Sequence, residues 1–151
     1  MQQTKNKKVI NATTTECDGI FFKSKLELAC YNILKEAGFN PKYESKTFTL
    51  AEGFKLESIK YYTAKNKEIV NDSSKIRAIT YTPDFIFRVG NKMYIVEAKG
   101  HPNDVYPYKR KLFLKGVNDL FKDSDDKVYF IEVFNQRQMK SVVEKIKNDE
   151  L

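Results

Sequence analysis

From Ser24 to Ala37 the apolar residues Leu26, Ala29, Cys30, Ile33, Leu34 and Ala37 return at steps of three and four, and Gly38 follows. Such steps keep one side of a helix apolar and glycine is a common stop, so the pattern predicts an amphipathic helix. Beyond Pro41, residues 42–50 (KYESKTFTL) mix aromatic, Thr and Lys residues in the manner of a strand. A less regular stretch runs on to about Ser74; it holds Lys60-Tyr61-Tyr62 and Lys65-Asn66-Lys67 and is compatible with a hairpin extension.

Two β-rich runs come next, residues 76–88 (IRAITYTPDFIFR) and 92–99 (KMYIVEAK). Val89-Gly90-Asn91 between them suits a hairpin turn, so the two should pair antiparallel. Residues 108–121 read as a basic helix, 128–134 (VYFIEVF) as a buried strand and 135–147 as a closing helix. A strand, a crossover helix and another strand imply a parallel pair joined by a right-handed connection. The expected order is α-β-β-β-α-β-α, an α/β fold in which a mixed sheet is flanked by helices. Residues 1–18 are polar and lysine-rich and are expected as a flexible basic arm, leaving 19–151 as a single domain.

At 151 residues the chain can bury a real core without disulfides or a structural metal. Its formal charge of +7 and pI near 9.2 favour a polyanionic partner, because each phosphate neutralised by Lys or Arg releases condensed counterions. A solvated basic surface would give the same totals. Cys17 and Cys30 have no neighbour at zinc-ligand spacing and read as reduced thiols, Cys30 as a small core residue. No apolar run reaches membrane-spanning length and the N-terminal residues show no apolar signal segment, so an intracellular, cytoplasmic protein is expected.

Glu97 and Lys99 are two apart on one strand and leave the same face of the sheet. Asp84 lies on the preceding strand, where hairpin pairing brings it near them, and Pro83 marks a local break in the ladder. Two carboxylates and an ammonium then converge. Carboxylate oxygens suit Mg²⁺ or Mn²⁺, and such ions clamp the attacking and leaving oxygens of a phosphoryl displacement. Lys99 can orient or help deprotonate a water and offset charge developing on the phosphate. A surface Glu-Lys pair is the plain alternative, but both residues sit in the apolar run YIVEAKG, where an unpaired charge is costly to bury.

Thr82-Pro83-Asp84 on one strand and Glu97-Ala98-Lys99 on the next resemble the signature of the PD-(D/E)xK nuclease superfamily, whose restriction-endonuclease-like fold has an αβββαβ core. With KSKLELACYNILKEAGF upstream, the resemblance is nearest to small bacteriophage endonucleases, including those that resolve Holliday junctions. It implies a Mg²⁺-dependent endodeoxyribonuclease, with Mn²⁺ as a substitute, in which Asp84, Glu97 and the Ala98 carbonyl hold the metal and Lys99 serves the nucleophile. It also implies an acid from the first helix, here Glu27. Ser24-Lys25-Leu26-Glu27 is a capping box as well, which explains Glu27 without any metal. Glu44 and the lone His101 are left outside the expected set.

Lys109, Arg110, Lys111 and Lys115 lie on the crossover helix and are candidates for contacting phosphates, against the plain reading of a solvated face. Tyr61 and Tyr62 can stack on bases, with packing against the core as the commoner use. The partner that the resemblance implies is branched DNA, bound by a two-fold homodimer that places two active sites at fixed separation. Other phage nuclease substrates, namely flap, single-stranded or duplex DNA, and a non-catalytic DNA-binding module of the same fold are the alternatives.

Overall fold

The computed structural model describes residues 15–151. Residues 1–14 of the expected basic arm lie outside the described residues. Residues 15–17 do not belong to a loose arm: β1 (Thr15–Cys17) pairs antiparallel with β2 (Ile20–Phe22), so order begins ahead of the expected boundary. Next come α1 (Lys25–Glu36), β3 (Lys42–Tyr43), β4 (Phe48–Ala51), β5 (Tyr62–Lys65), β6 (Glu68–Asn71) and β7 (Ile79–Tyr81). The chain ends with β8 (Phe85–Val89), β9 (Lys92–Ala98), α2 (Tyr106–Phe121), β10 (Lys127–Val133) and α3 (Gln136–Lys147).

The fold is mixed α/β around a four-stranded sheet of order β10-β9-β8-β3. β8 and β9 pair antiparallel across the turn at Gly90, whose φ of +60° is reached readily only without a side chain. β10 pairs parallel with β9 after the α2 crossover. Helices cover both faces, so β9 is buried from Met93 to Ala98, which is why it reads as a nearly continuous apolar run. Its residues alternate: Tyr94, Val96 and Ala98 pack into the core shared with α1 and α3, while Met93 and Ile95 pack with Phe113 and Val117 of α2.

Two segments of strand character are each broken, the second at Pro83 as expected. Residues 42–50 divide into β3 and β4, residues 76–88 into β7 and β8. At the first break Glu44 takes a left-handed φ of +41°, and at the second Pro83 can donate no ladder hydrogen bond. The breaks are tied together, since Glu44 N–H donates to the Asp84 carbonyl at 2.8 Å and the Thr47 and Thr82 hydroxyls lie 2.7 Å apart. Beyond them the chain leaves the main sheet. β4 and β7 pair with each other and lie on α2, where Phe48 and Tyr81 both pack on the Phe113 ring. The expected hairpin extension is the β5–β6 pair. Among the described residues no helix is long and apolar enough to cross a membrane.

Candidate active site

The break between β7 and β8 opens a cavity of about 450 Å³ at the end of the sheet, walled by the N-terminal turns of α1 and α2. The row Met93, Ile95 on the α2 face of β9 continues to Glu97, and the register Phe85–Val96 sets Asp84 across from it. Asp84, Glu97, Ala98 and Lys99 therefore line one cavity, as the hairpin pairing requires.

Each acid is held. Asp84 Oδ2 accepts from the Ala98 N–H at 2.7 Å, which leaves Oδ1 as the oxygen available to a ligand. Glu97 Oε2 accepts from the Tyr81 hydroxyl at 2.6 Å, and its Oε1 lies 3.3 Å from Lys99 Nζ. Lys99 Nζ in turn stands 4.5 Å above the centre of the Tyr106 ring, a cation–π contact that fixes it over the cavity. The Tyr106 hydroxyl donates to Glu132 at 2.7 Å, and Arg110 donates to both Glu132 oxygens at 3.2 Å.

Burial dominates the electrostatics. Asp84 and Glu97 are 8% and 4% exposed. Loss of water pushes the Asp84 carboxyl up to about 8, helped by the neighbouring Glu97 charge and opposed by the Ala98 N–H. Glu97 is also raised by burial, against the pull of the Tyr81 hydroxyl and Lys99. Two buried acids with one nearby ammonium make a site short of positive charge.

Glu27 reaches the same cavity and also serves the helix start, although its carboxylate accepts from the Lys23 N–H and not from the Ser24 N–H of the expected capping box. Glu27 N–H donates to Ser24 Oγ at 3.1 Å, and the Ser24 hydroxyl donates to Oε1 at 2.8 Å. Glu27 Oε2 accepts from Lys23 N–H at 2.9 Å and from the Tyr43 hydroxyl at 2.6 Å. The two roles are thus compatible in space. Glu44, set aside in the sequence, lines the rim in an ion pair with Lys23, while His101 is exposed and lines no part of the cavity.

The four basic residues of α2 do not form one stripe. Helix positions turn about 100° per residue, so Lys109 and Lys111 point to different sides. Lys109 lines the cavity and donates to the Thr80 carbonyl at 3.0 Å. Arg110 is held by Glu132, and Lys115 pairs with Asp119 at 2.6 Å. The tyrosines Tyr43 and Tyr81, together with Glu132, are parts of the site that the sequence did not mark, and Tyr106 stood out only as an aromatic among the basic residues beside the site. Only Tyr81, three residues before Asp84, stood close to the motif.

Among the described residues no group of three or more His, Cys, Asp or Glu side chains is arranged to hold a metal ion as it stands. The donor chemistry nevertheless fits a hard divalent cation: two adjacent buried carboxyl groups and a backbone carbonyl at Ala98, all oxygen ligands.

These features define an α/β protein with a buried carboxylate pair at a break in its central sheet. The chain belongs to a family described as a protein of unknown function (DUF1064), whose model matches residues 6–146. No curated protein and no solved structure matches it.

Proposed function

We propose that the chain is a metal-dependent endodeoxyribonuclease with a restriction-endonuclease-like core, hydrolysing phosphodiester bonds of DNA. The observation that carries this reading is the meeting of Asp84, Glu97 and Lys99 in one cavity, with both acids buried and the ammonium 3.3 Å from Glu97. The order of helix, antiparallel strands, crossover helix and parallel strand also supports it.

Asp84, Glu97 and the Ala98 carbonyl would hold Mg²⁺ or Mn²⁺, which when bound supplies a Lewis acid for the phosphoryl group. The chain's own groups do the rest. Ala98 N–H and the Tyr81 hydroxyl fix the orientation of the two acids, so neither has to reorganise when a ligand arrives. Lys99, steered by Glu97 and the Tyr106 ring, orients the attacking water and offsets the charge that builds on the phosphate oxygens. Lys109, on the cavity wall, meets a flanking phosphate. Glu27 adds a third acid from α1 while its own hydrogen bonds hold the helix start.

Among DNA substrates the resemblance to phage junction-resolving enzymes favours the four-way junction, cut by a two-fold dimer whose paired sites match its geometry. The test is cleavage of a synthetic four-way junction, a flap and a linear duplex of shared sequence, each in Mg²⁺ and in chelator. Mg²⁺-dependent cutting that prefers the junction is expected. Full activity in excess chelator would overturn the mechanism, whereas equal cutting of junction and duplex would remove the branched substrate and leave the nuclease.

A further inference from the structure

Residues 48–81 make a long two-stranded arm rooted in the site. At its root, β7 supplies the Tyr81 hydroxyl that holds Glu97 and the Thr80 carbonyl that accepts from Lys109. Beyond β4 and β7, Phe54 and Ile76 exchange backbone hydrogen bonds of 2.9 and 2.8 Å, and the β5–β6 hairpin follows. The joint is closely built, for a Cβ on Gly53 would stand 2.8 Å from the Ile76 carbonyl oxygen and 2.9 Å from Ala78 N. At the tip, Asn66 and Lys67 both take left-handed φ values, +50° and +69°, so a lysine occupies a turn position that ordinarily favours glycine.

The two faces of the outer hairpin differ. Directly opposed residues share a face, so the pairs Tyr62–Asn71 and Ala64–Ile69 lie on one side, Thr63–Val70 and Lys65–Glu68 on the other. The second side carries an ion pair between Lys65 and Asp72 at 3.5 Å. The first is bare, with Tyr62 55% and Ile69 71% exposed. Packing against the core, the commoner use of such a tyrosine, is therefore not its use here. Lys60, two residues before Tyr62, and Lys67, in the tip turn two residues before Ile69, are exposed, and neither joins an ion pair among the described residues.

An uncovered aromatic ring flanked by unpaired lysines is the chemistry of a platform for single-stranded nucleic acid: the ring takes a base face and the cations take phosphates. Base faces are open only where a strand is unpaired. A protein partner fits less well, because lysines are depleted from protein interfaces. The face is tethered to the site, since Asn71 lies eleven residues from Thr82 and thus at most about 40 Å away along an extended chain. We infer that the arm is a second nucleic-acid contact, in which Tyr62, backed by Ile69, stacks on an unpaired base of the bound strand while Lys60 and Lys67 meet its phosphates. This rests on the proposed action on nucleic acid and names the feature the arm selects, unpaired bases near the cleaved bond.

The test measures binding of the full chain, in Ca²⁺, to a labelled single-stranded oligodeoxynucleotide and to a duplex of the same sequence, by fluorescence anisotropy. Tyr62→Ala should weaken single-strand binding about 10-fold, as loss of one stacked base does, and duplex binding less than about twofold. Tyr62→Phe should stay within about twofold of wild type on both, because the ring is kept. An unchanged melting temperature shows that each variant folds. Equal losses on both substrates, no loss at all, or a Tyr62→Phe loss as large as that of Tyr62→Ala would overturn the arm while wild-type cleavage stands. So would a Tyr62→Ala protein that sediments as a smaller species than wild type, which would make the face an interface between copies. A wild type that neither binds nor cuts nucleic acid would overturn both this inference and the proposed function.

Discussion

Asp84→Asn should make the metal-free protein more stable while removing its activity. In the folded chain burial raises this carboxyl from 3.8 to about 8, so the folded state keeps a proton that the unfolded chain gives up. An acid raised in this way costs stability progressively as pH climbs from about 4 to about 8, and by pH 7 the gross cost is at most about 4 kcal/mol. Glu97 shares the field, which lowers the part that belongs to Asp84 alone. Asparagine, like the protonated Asp84 carboxyl, keeps a neutral acceptor for the Ala98 N–H, so that 2.7 Å bond changes little. The net gain should be about 2 kcal/mol, or roughly 4–8 °C in Tm for a chain of this size. Thermal unfolding of both proteins in chelator, from pH 4 to pH 8, measures it. Wild type should lose ground to Asp84→Asn steadily across that window, and the two should converge near pH 4. A variant less stable than wild type at pH 7, or a gap that does not change with pH, would refute the argument from burial. Added Mg²⁺ should raise the Tm of wild type and leave that of Asp84→Asn nearly unchanged.

Lys99→Ala should reduce cleavage by at least about 100-fold while substrate binding in Ca²⁺ changes little, since its charge acts on the transition state; a loss seen only in binding would move Lys99 out of the reaction. Glu27→Gln keeps an oxygen for Tyr43 and Lys23, so a loss of activity at unchanged Tm assigns Glu27 to the metal site, whereas a fall of about 1 kcal/mol at unchanged activity assigns it to the cap alone. Arg110→Ala should destabilise the fold by about 1 kcal/mol, because Glu132 loses its cation, and should change the salt dependence of DNA binding less than Lys109→Ala does. The reverse ranking in salt titrations would return Arg110 to the DNA surface.

The helices were legible because their apolar stripes bury against the sheet. α1 starts at Ser24 as its capping box indicates, and α3 is capped by the Asn135 side chain accepting from Gln138 N–H. α2 begins two residues ahead of the expected Tyr108, since Pro107 is welcome in a first helical turn and the Asn103 side chain accepts the Tyr106 N–H. β9 and β10 were legible from their length and apolar character. Of the divided strands, the break at Pro83 was legible from the proline, whereas the break at Glu44 and the change of sheet at both points were not, because both halves of 42–50 and of 76–88 have strand composition and the change of sheet is a tertiary event. β1–β2 also escaped, because strands of three residues, TEC and IFF, are too short to show an alternating pattern. At the site, Asp84, Glu97 and Lys99 could be placed together because hairpin register is local. The tyrosine hydroxyls that steer the acids come from residues 16 apart in sequence, Tyr43 to Glu27 and Tyr81 to Glu97, and no short spacing announces them.

Asp84, Glu97 and Lys99 are proposed as the active site of a metal-dependent nuclease. The most direct test is single-turnover cleavage of a labelled four-way junction by wild type and by Glu97→Gln, purified side by side, in Mg²⁺ and in chelator. Wild type in Mg²⁺ should cut, wild type in chelator should not, and Glu97→Gln in Mg²⁺ should be slower by at least about 100-fold at unchanged junction affinity. Equal rates for wild type and Glu97→Gln would contradict the account, as would a wild type that leaves the junction intact in Mg²⁺ and Mn²⁺ alike.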